Sequence, residues 1–159
     1  MAYLLKPLLD IRVMRQDRAS GTLTAARQAV RDAEAKVDER KRELTEYEQT
    51  KEERRDRIYA TIMGRPVSRD KLDIAQEGVA RIDEEGVLKL DNVRRAEGEL
   101  EKRESEAEVA REAFVLASKN RMKIDEHRAV WIKAEAAEQE RRTEIELEDF
   151  VGRKQDLDN

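Results

Sequence analysis

The chain contains no cysteine, which excludes a disulfide framework, thiolate metal sites and thiol catalysis and suits a reducing cytoplasm. Aromatic residues make up only 4% of it while 44% is Asp, Glu, Lys or Arg, so a compact globular core is beyond its means and a thin apolar seam is the economical alternative. Prolines number two and glycines six, far from the enrichment in chain breakers that accompanies disorder. No window approaches the roughly 20 apolar residues that span a bilayer, so no integral membrane segment is expected. The apolar start, Met1–Val13, is interrupted by Lys6, Pro7, Asp10 and Arg12 and does not read as a signal peptide. Neither sign of charge dominates: 33 basic and 37 acidic side chains are interspersed, leaving no broad basic stripe to neutralise phosphates, and nucleic acid is not an expected partner.

What is present is periodicity. From about Leu4 to Met63 the apolar residues step alternately by three and four. Leu23, Val30, Val37, Leu44 and Ile58 share one heptad row, interrupted by Lys51; Ala26, Ala33 and Tyr47 share the row three residues on, with Arg40, Arg54 and Thr61. Such a pattern predicts a coiled-coil seam rather than one helix resting on a globular core, which carries a wider apolar face and is usually shorter. The run Met63-Gly64-Arg65-Pro66-Val67-Ser68 then breaks the helix. Gly64 suits the left-handed conformation that ends a helix, Pro66 cannot continue one, and Ser68 can cap the next, with Asp70 favourable in its first turn.

Heptads resume from about Ser68 to beyond Phe150. Leu72, Val79, Gly86, Val93, Leu100, Ala107 and Phe114 form one row; Ala75, Ile82, Ala96, Ala110, Ala117, Ile124, Trp131 and Ile145 form the other, diluted by Lys89, Arg103, Arg121 and Glu138. Two long helices joined by a short connection lie antiparallel, so the expected fold is all-α: an antiparallel coiled-coil hairpin with helix 1 at about 4–63, a turn at 64–67, helix 2 at about 68–152 and a C-terminal overhang. One register repeatedly matches large with small, as interdigitation requires. It sets Ile58 by Ala75, Tyr47 by Gly86, Val37 by Ala96, Ala33 by Leu100, Leu23 by Ala110 and Ala19 by Phe114. A slip of one heptad sets Leu23 against Arg103 and Val37 against Lys89. In the favoured register Leu5 faces about Arg128, and Trp131, Ile145 and Phe150 are expected to project beyond the paired region.

No residue constellation suggests chemistry. His127 lies near Asp125 and Glu126, but a metal needs several ligands converging in a fixed cavity. The carboxylates Glu138, Glu140, Glu144, Glu146, Glu148 and Asp149 lack the turn-forming loop of a calcium site and read as a solvated helix face. Gly78, Gly86 and Gly98 follow no strand and precede no Gly-Lys-Ser/Thr, so they cradle no phosphate. The expectation is a non-enzymatic protein with no cofactor and no metal. Apolar surface at the terminal end stands out instead: Leu4, Leu5, Leu8, Leu9 and Ile11, with Trp131, Ile145 and Phe150. These either pack on one another or meet a partner.

The start Leu8-Leu9-Asp10-Ile11-Arg12-Val13-Met14-Arg15, the helical hairpin turning near its middle, and the ending Glu144-Ile145-Glu146-Leu147-Glu148-Asp149-Phe150 together resemble the YscO/FliJ family, and the injectisome (YscO) branch more than the flagellar one. That family supplies the central stalk of type III secretion ATPases. The resemblance implies a chain that links a hexameric secretion ATPase to the export gate protein and also binds secretion chaperones. It implies a cytoplasmic place at the base of a membrane-bound apparatus, or export of the chain itself, and a link to virulence. By position along the hairpin it puts Leu5, Leu8, Leu9, Arg12, Arg15, Trp131 and Phe150 at the ATPase, and Arg65, Arg69, Leu72, Val79 and Ile82 at the gate or a chaperone. Two roles unrelated to secretion fit the same heptads: a coiled-coil spacer, and a chaperone-like protein shielding clients with its apolar ends.

Overall fold

The computed structural model describes residues 2–157, and these form two helices, α1 (Lys6–Ala60) and α2 (Arg69–Leu157). No strand occurs among the described residues. The fold is the antiparallel helical hairpin that the heptads predict. Pro7 sits in the first turn of α1, where a backbone N–H would have no helical acceptor in any case, while the Lys6 N–H reaches the Tyr3 carbonyl at 3.1 Å. The other end of α1 comes three residues earlier than periodicity suggests. There the Thr61 N–H bonds the Ile58 carbonyl at 3.1 Å and the Ile62 N–H bonds that of Tyr59 at 3.0 Å, a tightening to i→i+3 bonds that uses up terminal carbonyls. Gly64 then takes φ +71°, a conformation that side chains resist. Ser68 caps α2 by accepting the Lys71 N–H on Oγ at 3.4 Å, and Asp70 lies in the first turn, where the helix dipole favours an anion. α2 then runs to Leu157, past the expected 152.

The chain divides into two units, Met1–Thr22 with Arg111–Asn159, and Leu23–Ala110. In the Leu23–Ala110 unit the buried residues are Leu23, Ala33, Val37 and Tyr47 on α1 and Ala75, Ile82, Val93, Ala96 and Ala110 on α2, all of them from the two predicted rows. Half-buried Arg40, Lys51 and Arg54 complete the α1 rows, their stems lying along the seam while their charges reach water. The tightest packing is at Tyr47. Its ring fills the place of the side chain that Gly86 lacks, so that a Cβ on Gly86 would lie 2.6 Å from the Tyr47 oxygen. Its hydroxyl donates to the Ile82 carbonyl at 2.6 Å. Tyr47 opposite Gly86 is the pairing of the favoured register; a one-heptad slip would bring Val79 there instead.

Ion pairs cross between the helices in this unit at Lys41–Glu97 (3.1 Å), Arg54–Glu85 (2.8 Å) and Arg55–Asp83. All are partly exposed, and pairs of this kind add little stability. The hydrogen bond from Arg54 nevertheless holds the Glu85 carboxyl below its ordinary pKa. A depressed carboxyl contributes stability above its unfolded-state pKa and loses that contribution as pH falls through the folded value. The melting temperature should therefore decline on acidification below pH of about 4.3. Glu85→Gln should lower it slightly at neutral pH and make the decline shallower, as thermal melts followed by circular dichroism would register.

In the unit of Met1–Thr22 with Arg111–Asn159, Leu9 is buried and the next seam layer is polar. Gln16 donates from Nε2 to Ser118 Oγ at 3.2 Å and accepts on Oε1 from Arg121 at 2.8 Å, so the amide is satisfied at both ends, as a part-buried amide must be. Trp131 corrects the sequence reading. It does not project past the paired region but packs on Tyr3, ring centroids 5.3 Å apart, in a tilted geometry that suits aromatic quadrupoles. Tyr3 also meets His127, its hydroxyl 2.8 Å from Nδ1. Heptad counting starts too late to include Tyr3, because Pro7 obscures the turn before α1. From residue 141 to 150 every side chain is exposed.

Candidate functional site

Two grooves with apolar floors are the surfaces best suited to a partner, one in each unit. In the terminal unit, Arg12 and Arg15 of α1 border a depression of about 200 Å³ floored by Ala113, Leu116 and Ala117 and closed by Asn120 of α2. The spacing of α1 puts Arg12 on the seam edge and Arg15 one turn on, so both guanidinium groups flank the same groove. Arg12 is half-buried and its Nε has no hydrogen-bond partner. Among the described residues neither arginine has a carboxylate partner, so both remain available to one. A guanidinium fork beside apolar floor is suited to binding a carboxylate-bearing peptide segment.

Beside the turn, a larger groove of about 560 Å³ has Ile58, Ile62, Ile74 and Ala75 on its floor and Arg57, Lys71, Glu77 and Arg81 at its rim, where Arg57 pairs with Glu53 at 2.5 Å and Arg81 with Glu77 at 3.9 Å. Ile74 and Met63 are exposed nearby, at 68% and 71%. Among the described residues no three His, Cys, Asp or Glu side chains gather where they would hold a metal ion. No described helix is long and apolar enough to cross a membrane.

The residues that the resemblance puts at an ATPase end all fall in the terminal unit, in different settings. Leu5, Leu8 and Arg12 are half-buried, Arg15 is exposed, and Phe150 is 67% exposed. Leu9 is committed to the seam and Trp131 to its stack on Tyr3, so these two support the surface rather than form it. Of the apolar cluster at this end, Leu4 is exposed at 91% and Ile145 at 58%. The residues assigned to the gate or a chaperone lie in the Leu23–Ala110 unit. Arg65, Arg69 and Leu72 are exposed, Val79 is half-buried and Ile82 is buried in the seam. Heptad reading missed Ile74 and Leu116, the groove residues, because both lie off the seam rows; their signal was large apolar side chains at positions where a solvated face predicts polar ones.

The family model described as type III secretion protein YscO matches residues 5–153. Among solved structures, the crystal structure of type III secretion protein YscO from Vibrio parahaemolyticus matches with a TM-score of 0.81 at 20% identity, covering 92% of each chain. The structure of a protein described as a YscO homologue from Chlamydia trachomatis matches with a TM-score of 0.70 at 21% identity, covering 96% of this chain and 93% of that one. At these identities the two structures establish a shared fold. No curated protein matches the chain.

Proposed function

The chain belongs to the type III secretion YscO family, and from that membership we propose that it is the central stalk linking the hexameric export ATPase to the export gate. The observation that carries this reading is the family match across residues 5–153, on a helical hairpin with an apolar-floored groove in each unit. In this role the terminal unit enters the ATPase pore. Arg12 and Arg15 meet carboxylates there, Leu5, Leu8 and Phe150 make apolar contact, and Leu9 and Trp131 hold those residues in place. The turn residues Arg65, Arg69 and Leu72 engage the gate protein or a secretion chaperone, with Val79 and Ile82 beneath them. The chain acts in the cytoplasm and contributes no chemistry of its own. A coiled coil transmits orientation between two binding surfaces, which a flexible linker does not.

The test is a hydrolysis assay with the export ATPase of the same organism. Adding the chain should raise turnover at less than one chain per ATPase subunit. Arg12→Glu with Arg15→Glu should weaken ATPase binding by about tenfold or more, since like charges set against each other in an interface cost several kcal/mol. Arg65→Glu with Arg69→Glu should leave stimulation intact while reducing capture of the gate protein. Neither binding nor altered turnover with the wild-type chain would end the stalk reading, and suppression of aggregation of unrelated proteins would favour a chaperone.

A further inference from the structure

The outer face of α2 in the terminal unit carries a pattern that the hairpin does not use. Glu112, Lys119, Glu126 and Lys133 recur every seven residues on the side of α2 away from its seam residues Phe114, Ala117, Arg121 and Ile124. All four are exposed, and among the described residues none makes an ion pair. On either side of this charged row lie apolar side chains: Leu116 is exposed at 62%, Met122 at 59% and Val130 at 68%, with Val115 and Ala129 beside them. A solvated helix face does not need large apolar residues, and an exposed stripe of them marks a contact surface. A depression of about 210 Å³ bordered by Glu112, Val115, Leu116 and Lys119 opens within the stripe.

We propose that this stripe pairs with the same stripe of a second copy of the chain, antiparallel, about a two-fold axis passing between Met122 and Lys123. That axis sets Glu112 against Lys133 of the second copy and Lys119 against its Glu126, and symmetry repeats both pairs. Along one edge of the contact Leu116 lies beside Val130 of the second copy, and along the other Val115 lies beside its Ala129. The shallow depression thus receives the second copy's Val130. Met122 meets its counterpart at the axis, while Lys123 lays its stem along the contact and keeps its charge in water. The contact runs from residue 112 to 133, about 32 Å of helix. A two-fold contact must be self-complementary, and this stretch meets that condition in both charge and size.

Orientation and location follow from the same residues. A parallel pairing would set each charge against its own kind, which destabilises it. Earlier in α2 the corresponding row reads Glu77, Glu84, Asp91, Gly98 and Ser105, which carries no opposite charges to pair with itself. Under the stalk reading the paired form would be the one that precedes docking on the ATPase, since both use the terminal unit; the pairing itself does not depend on that reading.

Sedimentation equilibrium of the intact chain over a roughly hundredfold concentration range tests it, because association appears as a mass that depends on concentration. The mass should climb from that of one chain towards that of two. Lys119→Glu alone and Glu126→Lys alone should each weaken the dimer by about tenfold or more, because each places like charges together twice. The double variant Lys119→Glu with Glu126→Lys should restore it. Circular dichroism should be unchanged throughout, since both positions are exposed. With no native cysteine, Met122→Cys should give a disulfide-linked dimer under mild oxidation much faster than Gln139→Cys, whose counterpart would lie about 50 Å away. A mass that stays at one chain across the range overturns the proposal. So does a dimer indifferent to the single reversals, or one that the double variant fails to restore.

Discussion

Tyr47→Ala is expected to reduce folding stability by about 3–5 kcal/mol, the range for truncating a large buried aromatic side chain. Tyr47 is 7% exposed and the position facing it is Gly86. A glycine has no side chain with which to fill the space that the ring vacates, so the cavity persists and the cost stays near the top of the range. Against a total stability of about 5–15 kcal/mol for an ordinary domain, such a loss would be visible as a large fall in the midpoint of chemical denaturation. Tyr47→Phe separates the ring from its hydroxyl. The Ile82 carbonyl that accepts the hydroxyl lies within α2, where the helical N–H four residues on also reaches it, so this variant should lose only about 0.5–1.5 kcal/mol. Equal losses from the two variants would mean that the ring contributes nothing through packing.

Gly86→Ala and Gly98→Ala should move stability in opposite directions, although both replace a glycine inside the same helix. Alanine is favoured over glycine in a helix interior by about 1 kcal/mol. At Gly98 nothing lies within 4 Å of an added Cβ, so that gain should be realised. At Gly86 the Cβ would meet Tyr47 at 2.6, 2.8 and 2.9 Å, at the oxygen and two ring carbons. The ring is held by its hydrogen bond to Ile82 and cannot swing away without giving that bond up. Overpacking of this kind costs about 1–3 kcal/mol, enough to cancel the helical gain and leave a net loss of up to about 2 kcal/mol. Denaturation curves for the two variants side by side are the check. In the Tyr47→Ala background the same Gly86→Ala change should become stabilising, because the obstacle is gone; destabilisation in both backgrounds would show that the ring is not its cause.

The prominence of this pair was legible before any coordinates. Tyr47 stands opposite glycine only in one register, and matching large side chains with small ones selects that register over a one-heptad slip. Gly64 and Pro66 likewise mark the bend, since one residue tolerates the left-handed conformation and the other forbids a continuing helix. The ends of the helices were harder to read. Whether a last turn stays α-helical or tightens, as at Thr61 and Ile62, is a matter of a few hydrogen bonds with little sequence signature. Tyr3 was missed because it precedes Pro7 and belongs to no repeating row, and with it the reason that Trp131 is covered. Leu116 and Ile74 lie off the seam rows, and only their size hints at the grooves they line.

Sequence alone determined that the chain is a two-helix antiparallel hairpin, where it bends and which residues line the seam, because all of these follow from local periodicity and from the backbone preferences of glycine and proline. The pattern of exposed residues is another matter. Periodicity says which side of a helix faces its partner, but whether Arg12 and Arg15 share a groove with Leu116, or Trp131 meets Tyr3, depends on side chains far apart in the chain arriving at the same level. Only the tertiary structure decided those meetings, since register sets which levels face each other but not how side chains off the seam rows, or before the first helix, settle against them.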